Sequence, residues 1–236
     1  MRVDVEKKNP ALESLFGDPE QTIFLDANFF IPPDRSRMGT KPIPFLKFCE
    51  IWLDPIFDAF PNLAIHESVY HELVADAVKK YADERQSENP SRLRVYKDAE
   101  LNEAEQALMQ AYISKLAEYS QYIPEMDNEK DRGEVRTLSF MAVRRFLYFA
   151  ANDTLPMNLI RKADELHTGL SEMELLEIYD VIYYLYCIGK YPAEGLRLLY
   201  KYEYYLTKQE KKTNLAWGEF IEKMNALYGK NQDQKA

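Results

Sequence analysis

Five carboxylates of this chain stand where side chains can do chemistry. Asp26 closes the apolar run Thr22–Leu25, and Glu72 lies in an amphipathic stretch. Asp131 and Glu134 open another such stretch, and Asp153 follows Asn152 at the end of the apolar segment FLYFAA. Carboxylates brought together repel one another and raise each other's pKa unless a cation joins them. Oxygen ligands without supporting His or Cys suit Mg2+ or Mn2+. An ion held in this way activates water and stabilises the leaving oxygen in phosphodiester cleavage. All of this requires acids far apart in sequence to meet in one place.

The elements that would bring them together can be read from the apolar spacing. Thr22–Leu25 has the composition of a strand buried on both faces. A carboxylate delivered by such a strand is costly to desolvate unless it is paired, hydrogen-bonded or metal-bound. Further strands are expected at Asn62–Ile65, Phe146–Ala151 and Leu175–Ile178. Helices are expected at Ala11–Phe16, Phe45–Phe60 (interrupted at Pro55), Glu67–Tyr81, Ala99–Ser120, Asp131–Arg145, Thr154–Leu166 and Asp180–Ile188. Residues 82–98 read as an exposed connector, and Tyr122-Ile123-Pro124 as a turn or a short edge strand. Strands alternating with helices imply an α/β fold with a parallel sheet covered on both faces. In such a sheet the strand C-termini and the following helix N-termini share one edge, where ligands gather. From Tyr191 onward the pattern is helical. The expected organisation is therefore a domain over 20–190 and a helical C-terminal extension over 191–236, with the final GKNQDQKA frayed.

Each acid also has a plainer reading. Asp131 with Glu134 has the spacing of a capping box, and Asp153 before Thr154-Leu155-Pro156 suits a helix cap. Glu72 reads equally as an exposed helix residue. Arg35, Arg37 and Lys41 in the proline-rich loop after Ile31 are either solvated or contacts to phosphate. His66 and His71, five apart, do not share a helix face, and no HExxH pattern is present, which argues against zinc hydrolysis. Asn28 stands where a phosphatase of the haloacid dehalogenase type needs a second acid. There is no glycine-rich phosphate loop. The tyrosines crowded into the C-terminal half suit cores and interfaces, or stacking on bases.

Four segments together resemble the PIN-domain nucleases. TIFLDANFF is similar to that family's opening strand with its terminal Asp, and SVYHELV to its second motif, with Glu72 as the acid. DRGEVRTLSFMA is similar to the third motif, where Asp131, Glu134 or both supply the acid, and FAANDTLP to the fourth. The resemblance covers about residues 20–180 in the right order. It implies a three-layer parallel-sheet PIN-like domain acting as a metal-dependent endoribonuclease on RNA. Asp26, Glu72, Glu134 and Asp153 would be catalytic and would hold Mg2+ or Mn2+, with Asp131 a further ligand. Asn28 and Asn152 would support those ligands by hydrogen bonds, and Arg35, Arg37 and Lys41 would bind substrate. Family members frequently form homodimers, and some are toxins paired with an antitoxin protein. The connector over 82–98 and the helical tail are additions to the small-toxin pattern. The alternative from another class is a non-catalytic PIN-like interaction protein working through its Tyr-rich helical tail.

Composition sets the outer limits. The 236 residues, 46% hydrophobic and 29% charged, describe a globular chain. The net charge of −9 argues against non-specific wrapping of duplex DNA but leaves room for an acidic nuclease centre. Apolar runs are too short to span a bilayer, and MRVDVEKKNP lacks a signal-peptide core, so a cytoplasmic location with no membrane partner is expected. Cys49 and Cys187 read as reduced thiols.

Overall fold

A computed structural model describes residues 2–229. The expected frayed end, from residue 230 on, lies outside the described residues. Along the chain the elements run α1 (Pro10–Gly17), β1 (Ile23–Leu25), α2 (Phe45–Phe48), α3 (Asp54–Ala59), β2 (Leu63–His66), α4 (Glu67–Glu72), α5 (Asp76–Ser87) and β3 (Leu93–Tyr96). They continue with α6 (Glu103–Ala117), α7 (Arg132–Arg144), β4 (Tyr148–Ala150), α8 (Thr154–Arg161), α9 (Ala163–Leu166), β5 (Glu174–Leu176), α10 (Ile178–Ile188), α11 (Ala193–Tyr204), α12 (Glu210–Thr213) and α13 (Trp217–Tyr228). The chain divides into two compact units. The sheet unit comprises Glu20–Phe30 and Pro61–Leu176, and the helical unit the segment up to Pro19, Ile31–Phe60, and the chain from Glu177 on.

The sheet is five-stranded and wholly parallel, in the order β3-β2-β1-β4-β5, with helices flanking it. Every residue of β1, β2 and β4 is buried, as continuous apolar runs in a parallel sheet require. On one face, Phe24 of the central strand stacks on Tyr96 with ring centroids 5.2 Å apart and lies 4.8 Å from Phe146. Leu138 and Phe140 of α7, and Ile113 and Leu116 of α6, complete this core.

Three expectations are corrected in the sheet unit. Thr154–Leu166, expected as one helix, is α8 and α9, parted at Lys162. The single helix over Glu67–Tyr81 is two helices, broken at Leu73–Ala75. Leu73 leaves helical geometry (ψ 69°) and the Val74 N–H turns back onto the Glu72 carbonyl at 2.8 Å. The exposed connector over 82–98 is also not a connector, since α5 runs on to Ser87 and β3 follows. As an edge strand β3 pairs only with β2; Leu93 and Tyr96 are buried, while Arg94 is exposed and lies over the Tyr96 ring at 4.1 Å. The exposed Arg94 interrupts the apolar run by which a strand is read from sequence. Tyr122-Ile123-Pro124 forms a turn, pinned by the Asn128 side chain to the Ile123 N–H (2.6 Å) and the Gln121 carbonyl (2.9 Å).

In the helical unit, residues 45–59 stay helical throughout, by way of a π turn at Cys49–Leu53. Pro55 follows that π turn, at the second position of α3. The tyrosines fill this unit's core. Tyr179, Tyr183, Tyr184, Tyr200 and Tyr204 are buried, Tyr200 stacks on Phe220 at 4.5 Å, and the Tyr183 and Tyr200 hydroxyls are spent on Asn225 and the Leu215 carbonyl. The expected tail over 191–236 is thus part of a larger helical assembly that includes α1, whose Phe16 ring lies 5.1 Å from Tyr184 of α10. Both cysteines are free thiols. No helix among the described residues is long and apolar enough to cross a membrane.

Candidate functional site

The strand order places a topological switch point at β1 and β4. From β1 the chain moves to β2 on one side, while β4 lies on the other, and the crevice beyond their C-terminal ends is where α/β sheets bind ligands. Asp26 is delivered to that crevice by the ladder itself. Its N–H donates to the Ala150 carbonyl of β4 at 2.9 Å, one step beyond the Leu25–Ala150 register. The carboxylate is 2% exposed and accepts a hydrogen bond from Asn28 Nδ2 at 2.7 Å. Burial holds its pKa well above the ordinary carboxylate range. Glu134, Asp153 and Glu72 push it higher, against a bond from the Ala27 N–H.

Glu72 arrives from the C-terminal end of α4, next to the break at Leu73. Burial and the Glu134 carboxylate raise its pKa to about 7, opposed by the Gly133 N–H and the Arg132 guanidinium. Its carboxylate lies directly against the first turn of α7. A Cβ built on Gly133 would stand 2.8 Å from Glu72 Cδ and closer still to Oε1. Glu134, also in that first turn, is raised by burial against a bond from its own N–H, with Asp131 and Asp153 adding to the rise and Lys130 opposing it.

Neither capping alternative is realised. Asp131 occupies the N-cap position of α7 in left-handed geometry (φ 58°) without a side-chain cap. Its carboxylate instead takes the Gln121 N–H at 2.8 Å and Lys130 Nζ at 3.0 Å. Asp153 precedes α8 without capping it, and its Oδ2 accepts from Asn28 Nδ2 at 3.1 Å. One amide therefore ties the acids after β1 and β4 together. Asn152 is buried at the end of β4. Arg35, Arg37 and Lys41 belong to the helical unit. There Arg35 is committed to Glu210 (3.1 Å) and the Glu203 carbonyl (2.7 Å), while Arg37 and Lys41 are exposed.

A second polar cluster lies along the same sheet edge. Among the described residues, His66, Glu67 and Asp98 form the one set of three whose ligand atoms all approach within 4.8 Å. They are already hydrogen-bonded to one another. His66 Nδ1 accepts from the Ser68 N–H, which assigns the ring proton to Nε2, facing Asp98 Oδ1 at 2.9 Å. The other Asp98 oxygen takes the Arg136 guanidinium, and Glu67 accepts the Asp98 N–H at 2.8 Å. Burial raises the Asp98 pKa, but His66 and Arg136 outweigh it and leave the carboxyl below its usual range. A cation here would have to displace both a ring proton and a guanidinium. The network instead fastens the ends of β2 and β3 to α7. Asp26, Glu72, Glu134 and Asp153 supply no set of three whose ligand atoms all lie within 4.8 Å of one another.

Scans against protein-family models, curated proteins and solved structures each found no match to this chain. Asp26, Glu72, Glu134 and Asp153 act on one another's ionisation, and Asn28 bonds both Asp26 and Asp153. Sequence reasoning missed Gly133, whose lack of a side chain seats Glu72, and the Lys130 and Arg132 charges beside the acids. It also missed the His66–Asp98–Arg136 network, which depends on the unrecognised β3. The run KDRGEVR, a glycine among alternating charges at a helix start, was the available signal for the first group.

Two outcomes follow from the site's electrostatics and packing. Glu72 keeps its proton to about pH 7 in the folded chain but loses it near the ordinary 4.5 when unfolded, so metal-free stability falls as pH rises through that window. Discounted for partial exposure, the loss is on the order of 2 kcal/mol. Melting curves at pH 5 and 7.5 without divalent ions should show a steeper fall in the wild type than in Glu72→Gln, and equal slopes would contradict the coupling. Gly133→Ala should preserve or improve folding, since alanine gains roughly 1 kcal/mol in helix propensity. It should nonetheless displace the Glu72 carboxylate and lower divalent-ion affinity, measured by calorimetry. Unchanged affinity would show that Glu72 is not held for that purpose.

Proposed function

We propose that this chain is a Mg2+- or Mn2+-dependent ribonuclease with a three-layer PIN-like core, hydrolysing phosphodiester bonds at the β1/β4 crevice. The observation that carries the reading is Asp26, a carboxylate buried at the end of the central strand with three further acids raising its pKa. Such an arrangement is unfavourable in the free chain and becomes favourable when a cation joins the acids.

The donor set fits a hard divalent ion. Asp26, Glu72, Glu134 and Asp153 offer carboxylate oxygens, and Asn28 Oδ1 is buried without a hydrogen-bond donor of the protein. A bound Mg2+ or Mn2+ would polarise the scissile phosphate and lower the pKa of the attacking water. The chain's own residues set the geometry. Asn28 fixes Asp26 relative to Asp153, and Gly133 leaves room for the Glu72 carboxylate against α7. Lys130, in the field of Asp131, Glu134 and Asp153, and Arg132 offer positive charge to a phosphate approaching the acids. Asp131, already bound to Gln121 and Lys130, shapes the loop before α7. The choice of RNA as substrate, and of a second copy or an antitoxin-like protein as partner, rests on the motif resemblance. The Tyr-rich interaction reading has less to draw on, because the five tyrosines named above are buried in the helical core.

Asp26→Asn should reduce Mn2+-dependent cleavage of labelled RNA by roughly a thousandfold or more while the protein stays folded, since the substitution removes a repelling charge without changing shape. Cleavage should also be abolished by EDTA. Full activity in a folded, nuclease-free preparation of the variant would overturn the assignment.

A further inference from the structure

A cavity of about 500 Å3 opens where the α6 surface faces the Asp98–Arg136 pair, and its lining includes Glu103, Gln106 and Gln110 of α6, with Met109. We infer that this groove is a base subsite that selects guanine in an RNA strand; the inference rests on the ribonuclease reading and names a determinant of its substrate choice.

Location comes first. Arg136 stands one helical turn from Gly133 on α7, at the neighbouring angular position. Glu72 packs on Gly133 and Asp98 pairs with Arg136, so the groove adjoins the acids along a single helix. A strand lying over the acids would bring a flanking nucleotide to it.

Charge and donor chemistry then narrow the ligand. Asp98 already neutralises Arg136, and Glu103 adds a further carboxylate, so the groove repels phosphate. It suits a neutral planar group with hydrogen-bonding edges. Arg136 has five N–H donors, of which Asp98 and Tyr122 engage only part. Those that remain match paired acceptors such as guanine O6 and N7. The Glu103 carboxylate offers acceptors only, which match guanine's N1–H and 2-amino group. Gln110, exposed on α6, can serve either edge. Guanine presents a two-acceptor edge beside a two-donor edge, whereas adenine and uracil cannot satisfy the carboxylate and the guanidinium in the same way.

The test is NMR titration of the full chain in EDTA with guanosine, inosine, adenosine, cytidine and uridine. These probes carry no phosphate and report on the groove independently of cleavage. Guanosine should bind about tenfold more tightly than the other standard nucleosides and more tightly than inosine, which lacks the 2-amino group. Glu103→Gln, an exposed position, should erase the guanosine–inosine difference, and Gln110→Ala should weaken guanosine alone by a smaller factor. Equal binding of all nucleosides, preference for cytidine, or an unchanged guanosine–inosine difference in Glu103→Gln would overturn the subsite. Metal-dependent cleavage that ignores guanine position would overturn the subsite and leave the ribonuclease reading standing. Guanosine selectivity in a chain that cleaves no RNA would support the groove as a guanine site and remove the ribonuclease reading.

Discussion

The buried carboxylate of Asp26 is the constraint from which the rest of the site follows. The parallel ladder carries it past Leu25 to the middle of the sheet, where the Asp26 N–H is fixed to Ala150 and water is largely excluded. A lone charge there would be costly. The chain nevertheless surrounds it with Glu72, Glu134 and Asp153, each of which makes ionisation harder. A fold maintained for stability alone would place an apolar or neutral residue at this position. The concentration of unfavourable charge therefore points to function, because perturbed titratable groups in a crevice mark sites of chemistry.

Local backbone features hold the acids in register. The break after Glu72 ends α4 at the point where its last side chain can reach α7, and Gly133 leaves room for that carboxylate. Asn28 spans the crevice between the acids after β1 and β4. Beside this cluster, the chain from His66 through Asp98 to Arg136 anchors α7 to the sheet edge and uses its charges in pairs. The contrast between the two clusters is instructive. One joins opposite charges, and the other is dominated by like charges with one orphaned amide oxygen.

Much of this was legible in the sequence because the informative residues sit at the ends of buried strands. Thr22–Leu25 and FLYFAA are continuous apolar runs, and each ends in a polar residue that a strand must carry to the sheet edge. The helix opened by Asp131 was equally visible, although the side chain of Asp131 turned out to bind Gln121 and Lys130 instead of capping. What stayed hidden involved tertiary context. β3 shows no apolar run because its outer edge is unpaired. The α4–α5 break has no proline or glycine to announce it, and Arg35 was committed to Glu210 by an ion pair across 175 residues of sequence. Gly133 could be read as a helix-weakening residue, but its purpose appears only when Glu72 is seen against it.

The central claim is that the acids at the β1/β4 switch point bind a divalent cation. Calorimetric titration of Mn2+ into the full chain at pH 7.5, beside Asp26→Asn and Glu134→Gln, tests it most directly. Saturable uptake by the wild type, weakened by at least about tenfold in each variant, is the expected result. No uptake by the wild type, or equal uptake by all three proteins, would contradict it.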